Sequence, residues 1–411
     1  MSRLQKILLI VAFVVVTILI GFLIFVIFFR PFIPSENVNV NAAPETGEQI
    51  NLSTGASGRL PSINSDVNAA ASAPPTSPPS SASQIASGGL TQTSLLTQYE
   101  VYMPTLSTDG NYIIYYDPDT QKFYKISPSG QSSLLSDKNF YQVENIIWAP
   151  NKTKAVIEYP DGANIIYDFV SNIQVTLPKH WQDFSFSPQS DKITAKSIGL
   201  DAENRFLITA NADGSKIKVV ANLGENADKV IADWSPNNLM VGELVGDLDL
   251  DRQEIYFIGQ NDENYKSMVV EGWGFSGRWS PQGDKIVYSV YNAASDDKPT
   301  LWISDATPDT IGRNRLELRL NTWADKCAFY DNNTLYCAVP TSLEAGAGLF
   351  PNELDNSPDV IYKINLTTGN KSLIASPETN NTISDLMVSP DGKYLYYTDK
   401  FDGRLYDIRL K

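Results

Sequence analysis

Past residue 93 the chain repeats one short pattern. An apolar run ends on an aromatic or aliphatic residue. A turn built from Ser or Ala, Pro, and Asn, Asp or Gly follows, and a second apolar run begins. The clearest copies are Trp279-Ser280-Pro281-Gln282-Gly283-Asp284 and Val388-Ser389-Pro390-Asp391-Gly392-Lys393. Trp148-Ala149-Pro150-Asn151, Phe186-Ser187-Pro188-Gln189 and Trp234-Ser235-Pro236-Asn237 follow the same plan. Weaker copies are Leu106-Ser107-Thr108-Asp109-Gly110 and Phe329-Tyr330-Asp331-Asn332-Asn333. The residue before the turn falls at 106, 148, 186, 234, 279, 329 and 388, with gaps of 42, 38, 48, 45, 50 and 59. Proline presets φ at the first corner, and Asn, Asp or Gly tolerates the second.

The apolar runs flanking each turn read as two strands, A and B. A third run, C, follows in each unit, at residues 122–126, 163–169, 205–210, 254–259, 300–304, 360–365 and 403–408. A fourth, D, is clear at 132–136 and 372–376. Long helical periodicity is absent. Four strands per unit at this period predict an all-β chain folded as a seven-bladed β-propeller, with six or eight blades as the alternatives. The chain ends soon after the third run of the last unit. Upstream, Ser94-Leu95-Leu96-Thr97 resembles the outer strands Ser133-Leu134-Leu135-Ser136 and Ser372-Leu373-Ile374-Ala375. We therefore expect the N-terminal strand to complete the last blade and remove an open edge.

Residues 7–29 are 23 residues without charge or proline, and Thr17 is their only polar side chain. A run of about 20 such residues spans a bilayer core of about 30 Å as a helix. It exceeds the apolar core of a secretory signal, and Ile27-Phe28-Phe29-Arg30 is no cleavage site. Arg3 and Lys6 before it place the N-terminus in the cytoplasm and the rest outside, in a single pass. Residues 33–98 contain no aromatic side chain and are rich in Ser, Ala, Pro and Asn. Such a segment cannot offset the entropy of ordering it. The expected organisation is a cytoplasmic tip and transmembrane helix over 1–30, a disordered stalk over 31–93, and the propeller over 94–411. A stalk of this size reaches on the order of 45 Å.

The Ser389-Pro390-Asp391-Gly392-Lys393 unit and its spacing resemble the repeats of TolB-type propellers and the wider WD-type class, over residues 94–411. The stretch 326–411 is similar to anchored propellers of small bacteria. TolB itself has an extra N-terminal domain and a cleaved signal, and this chain departs on both points. The resemblance implies the fold and carries over no site residue.

The net charge is −15, and the first 93 residues carry four basic and four acidic side chains, so the whole excess lies beyond them. That sign argues against nucleic acid as a partner and attracts basic peptides or divalent cations. The B–C loops of blades three to six are long and acidic, at residues 199–204, 246–253, 292–299 and 341–359. All B–C loops of a propeller open on one face. Asp201, Glu203, Asp247, Asp249, Asp251, Asp296, Asp297, Glu344, Glu353 and Asp355 are thus expected around one channel mouth. The blade-six insert adds Leu349 and Phe350, an apolar element expected to touch a partner. Asp247, Asp249 and Asp251 alternate as ligands of a hard cation such as calcium would. Arg252, however, stands where calcium loops prefer glycine, and a solvated acidic loop is the alternative. Cys327 and Cys337 flank the Asp331–Thr334 turn. They are expected to face each other as a disulfide, with two buried thiols as the alternative.

These features predict a non-catalytic binding or scaffold module outside the membrane, presenting a propeller face to a protein, peptide or glycan, with no cofactor beyond that calcium site. There is no Gly-Xaa-Ser-Xaa-Gly, and His180 is the one histidine, which argues against serine hydrolase chemistry. The alternatives are a carboxylate-based propeller enzyme such as a glycosidase, which needs no histidine, and a structural envelope component.

Overall fold

A computed structural model describes residues 81–411. The expected transmembrane helix and most of the expected stalk lie outside the described residues. Within them the chain forms seven sheets, antiparallel except for one added edge strand, taken up in sequence order as a seven-bladed propeller. Blade one comprises Tyr102–Leu106, Ile113–Asp117, Lys122–Ile126 and Ser132–Leu134. The inner strands of blades two to seven are Asn145–Trp148, Trp181–Phe186, Val230–Ile231, Trp273–Trp279, Cys327–Asp331 and Ile383–Val388.

The recurring turn holds each inner hairpin together by local bonds. In blade five the Ser280 amide donates to the Lys285 carbonyl (2.9 Å) and Gly283 N–H to the Ser280 carbonyl (2.8 Å). The Ser280 hydroxyl accepts from Lys285 N–H (3.1 Å) and donates to Asp284 (2.8 Å). Gly283 sits at φ +67°, where a Cβ would lie 2.7 Å from the Asn237 nitrogen of the preceding blade's turn. Glycine is thus required by both its backbone and its neighbour. Asn237 in turn donates to the Gly283 carbonyl (2.6 Å), stitching turn to turn around the ring.

Seven apolar clusters fill the seven seams between sheets. Ile113, Tyr115 and Ile126 of blade one pack against Tyr396 and Leu405 of blade seven, so the first and last sheets meet. Trp148, Trp234 and Trp279 lie in the seams between blades one and two, three and four, and four and five. Each aliphatic side chain buried there contributes about 1.5–3 kcal/mol.

As expected, Ser94–Leu95 completes blade seven, with Ser94 opposite Asp407 and Leu95 opposite Tyr406. Ordered pairing begins before residue 94, however. Gly89–Thr91 runs parallel to Lys371–Pro377 as a fifth strand of blade six. The incoming segment therefore straps blades six and seven together before the ring starts. Cys327 and Cys337 are directly opposed in the inner hairpin of blade six and joined by a disulfide, with Cα atoms 4.0 Å apart.

Candidate functional site at the channel mouth

The blade-six insert folds over its neighbour. Gly346 N–H donates to the Asp296 carbonyl (2.8 Å) and Gly348 N–H to the Asp297 carbonyl (2.7 Å), so the insert is seated on the B–C loop of blade five. Gly348 makes room for Tyr291, whose Cβ would lie 2.4 Å from an added Cβ. A single helical turn, Pro351–Leu354, ends the insert. Leu349 and Phe350 are exposed, as are Asp201, Glu203, Asp296, Glu344 and Glu353.

Two groups depart from a free acidic rim. Asp355 is buried, its carboxylate 2.7 Å from the Lys326 ammonium and 3.6 Å from that of Lys400. It anchors the insert and is not open to a partner. Asp247 pairs with Lys229 (2.8 Å), and Asp249 with Arg252. Asp251 N–H donates to Asp249 (3.0 Å), an ordinary side-chain turn. Among the described residues no group of three or more His, Cys, Asp or Glu side chains gathers as a metal set.

The charge that does converge comes from the inner strands. In blades three and seven an extra residue bulges the strand, with register shifts between Gln182 and Ser185 and between Ser384 and Met387. Within these shifts lie Asp183 at φ 55° and Asp385 at φ 47°. A bulge bends the strand and re-aims a side chain, and aspartate tolerates the left-handed backbone it requires. Glu144, Asp233, Arg278 and Asp325 occupy the inner edges of blades two, four, five and six. Arg278 is exposed, its guanidinium donates to the Cys327 carbonyl, and desolvation lowers its pKa. Asp325, Asp385 and Asp233, on three other blades, oppose that shift together. A guanidinium can feel all three only across the channel.

The channel carboxyls are held in a poorly solvated field. Burial, with Asp183 adding to it, pushes Asp233 up to about 6. Burial first, then Asp233 and Asp183, raises Glu243 well above the carboxylate range. Burial also raises Asp385 against a 2.7 Å hydrogen bond from Thr398. Asp183 is satisfied, accepting from Ala232 N–H (2.9 Å) and lying 3.2 Å from Lys196. Strand periodicity hides these residues, because they stand in or beside runs of strand-forming side chains. The signal was present: a charged residue one to four places before the turn residue at 148, 186, 234, 279, 329 and 388.

Between blades six and seven the mouth opens into a cleft of about 280 Å³, lined by Arg278, Trp323, Asp325, Asp355, Asp385 and Lys400 among others. Lys326 forms its floor, 4% exposed, 2.7 Å from Asp355 and 2.8 Å from Asp359. A larger depression of about 470 Å³ lies between blades two and three. It is wide open and carries ordinary surface charge such as Lys154–Asp168 at 4.0 Å, so the site is assigned to the channel mouth.

No protein-family model matches the sequence, and no curated protein matches it. Solved propellers match its structure. The β-propeller domain of Cps50 (Swd1) from Myceliophteria thermophila matches at 8% identity and TM-score 0.52, covering 78% of this chain and 100% of that one. Oligogalacturonate lyase from Vibrio parahaemolyticus matches at 12% identity and TM-score 0.49, over 78% and 93%. TolB from Acinetobacter baumannii matches at 13% identity and TM-score 0.43, over 65% and 66%. At these identities the likeness establishes the fold alone.

Proposed function

We propose that this chain is a non-catalytic binding module, tethered outside a membrane by residues 7–29, whose channel mouth takes a basic segment of a protein partner. The observation that carries the reading is the inner wall. Glu144, Asp233, Asp325 and Asp385 reach it from four blades, and none has a basic side chain within 4.0 Å among the described residues. Around that wall stand exposed apolar loop residues, Leu200, Leu250, Phe350 and Phe401. An acidic centre with an apolar rim suits a basic amphipathic segment better than a neutral glycan. Selection of random displayed peptides on the full chain tests the reading. Lys- and Arg-containing peptides are expected to be enriched, and lost on a Glu144→Gln, Asp325→Asn, Asp385→Asn triple variant. Enrichment without charge bias would refute it.

Asp233 favours a second reading. A carboxyl held near 6 beside Asp183 has the poise of a general acid with a carboxylate partner. Turnover of chromogenic glycosides that Asp233→Asn abolishes would support this alternative, and no turnover across a broad panel would remove it.

A further inference from the structure

On the B–C side of the ring, the seam between blades two and three opens into a cavity of about 360 Å³. Glu144, Asn145, Glu158, Tyr159, Asn164 and Trp181 are among the residues that line it. The blade-two ladder sets three of them in one row. Asn145 is opposite Glu158, and Glu158 is opposite Asn164, so their side chains share one face of the sheet. That face is turned to blade three, because Asn164 Nδ2 donates to the Trp181 carbonyl (2.7 Å). The same bond fixes the sense of the amide. Asn164 is 4% exposed, and its Oδ1 keeps contact with the cavity without a hydrogen-bond partner among the described residues. Asn145 Nδ2 donates to Glu158 Oε2 (2.7 Å), and Ile146 N–H holds Asn145 Oδ1 in place (2.9 Å). Glu158 is therefore oriented with Oε1 left over. The two lysines nearby are taken: Lys179 lies 2.8 Å from Asp161, and Lys196 3.2 Å from Asp183. Burial raises Glu158 against the Asn145 bond, and the charges of Asp183 and Glu144 raise it further. The capacity left free at Glu144, Glu158 Oε1 and Asn164 Oδ1 is all acceptor.

We propose, resting on the binding reading above, that this cavity is the pocket for one basic side chain of the partner segment, whose ammonium or guanidinium donates to Glu144, Glu158 and Asn164. The chemistry selects the ligand. A head group that carries donors and no acceptor answers two carboxylates and an amide oxygen together, and lysine and arginine are the side chains that carry one. Their methylene stems suit the Tyr159 and Pro160 side of the cavity. The volume lies near the lower end of the usual range for ligand pockets, about 300–1,000 Å³, which admits a side chain and not a folded element. Glu144 belongs both to this cavity and to the channel wall, so a segment crossing the mouth lowers one side chain into it. A neutral side chain leaves the carboxylates unanswered, and an acidic one is repelled.

The test uses the full chain carrying 5-fluorotryptophan, which gives seven indole resonances, with Trp181→Phe assigning the one at the cavity. The probes are capped heptapeptides with a central arginine or lysine between leucines, and the same peptides with citrulline or norleucine at that position. The arginine or the lysine peptide is expected to shift the Trp181 resonance saturably and to bind about tenfold tighter than its neutral counterpart. The tighter of the two names the side chain. Glu158→Gln keeps an acceptor for Asn145 and is expected to weaken that binding about tenfold. Asn164→Ala should weaken it about threefold. Glu317→Gln, exposed on the outer strand of blade five, should change it by less than about twofold. The neutral-peptide comparison and the Trp181 shift use the unaltered side chains, so they stand even where a variant fails to fold. A preference for the basic peptides that leaves Trp181 unshifted and ignores Glu158→Gln would overturn the pocket while sparing the binding reading. Equal binding of charged and neutral peptides, or no binding of any, would overturn both.

Discussion

Replacing Lys326 with methionine isolates the electrostatics beneath the channel mouth. Methionine fills nearly the same volume, so the apolar term changes little. What remains is the charge: Asp355 and Asp359, 9% and 1% exposed, lose the ammonium 2.7 and 2.8 Å away. Breaking a buried pair by removing one partner costs about 3–5 kcal/mol. The loss should depend on pH. Burial already pushes Asp359 up to about 6 against the pull of Lys326, and without that lysine it rises further. A carboxyl raised in the folded state weakens the fold when ionised, and the cost fades as pH falls through its folded pKa. Urea unfolding followed by tryptophan fluorescence should therefore show the full loss at pH 8 and a smaller one at pH 5. Adding Asp359→Asn should restore much of the stability at pH 8. An equal loss at both pH values, or no recovery in the double variant, would show that packing rather than buried charge governs the site.

Three further outcomes follow from the same structure. In the unaltered chain Asp233, Asp359 and Asp407 are each raised to about 6, chiefly by burial. Their cost is absent below about pH 4 and complete above about pH 6, so lowering the pH from 7.5 to 5 should stabilise the chain by about 1 kcal/mol per group, read as a rise in melting temperature. A chain starting at residue 99 lacks the strands at Gly89–Thr91 and Ser94–Leu95. It exposes the edge at Leu405–Arg409, and light scattering should find it associated where a chain starting at residue 81 is monomeric. Changing Cys327 and Cys337 to serine frees residues 10 apart in sequence, with an expected loss of about 2–3 kcal/mol in urea, and reductant should have the same effect on the unaltered chain.

The blades were legible in the sequence because their turns are made by residues that bond to one another locally. Ser280 binds Lys285 and Asp284 within six positions, and Ser389 repeats this with Tyr394 (2.9 Å). Such chemistry leaves a mark at fixed spacing. The closing strand was legible because Ser94-Leu95 looks like the outer strands it imitates. The strap at Gly89–Thr91 was not: it pairs with Ala375–Pro377 through its backbone, and its small residues look like tether. Asp355 read as one more loop carboxylate because its partner Lys326 lies 29 residues away, a pairing that only the fold brings together. The channel charges were hidden for a related reason. Bulges at Asp183 and Asp385 change which way a strand residue faces, and alternation by itself does not show a bulge.

Site-specific photo-crosslinking in intact cells tests most directly which face does the binding. A photoreactive phenylalanine analogue at Phe350 or Phe401 stands on the B–C side of the ring. At Val170, between the third and fourth strands of blade two, it stands on the opposite side. All three positions are exposed, at 57%, 69% and 76%. The channel-mouth account predicts a discrete protein adduct from Phe350 and Phe401, lost when Asp325 and Asp385 are neutralised, and none from Val170. An adduct from Val170 alone, or adducts from Phe350 and Phe401 that survive neutralisation, would contradict it.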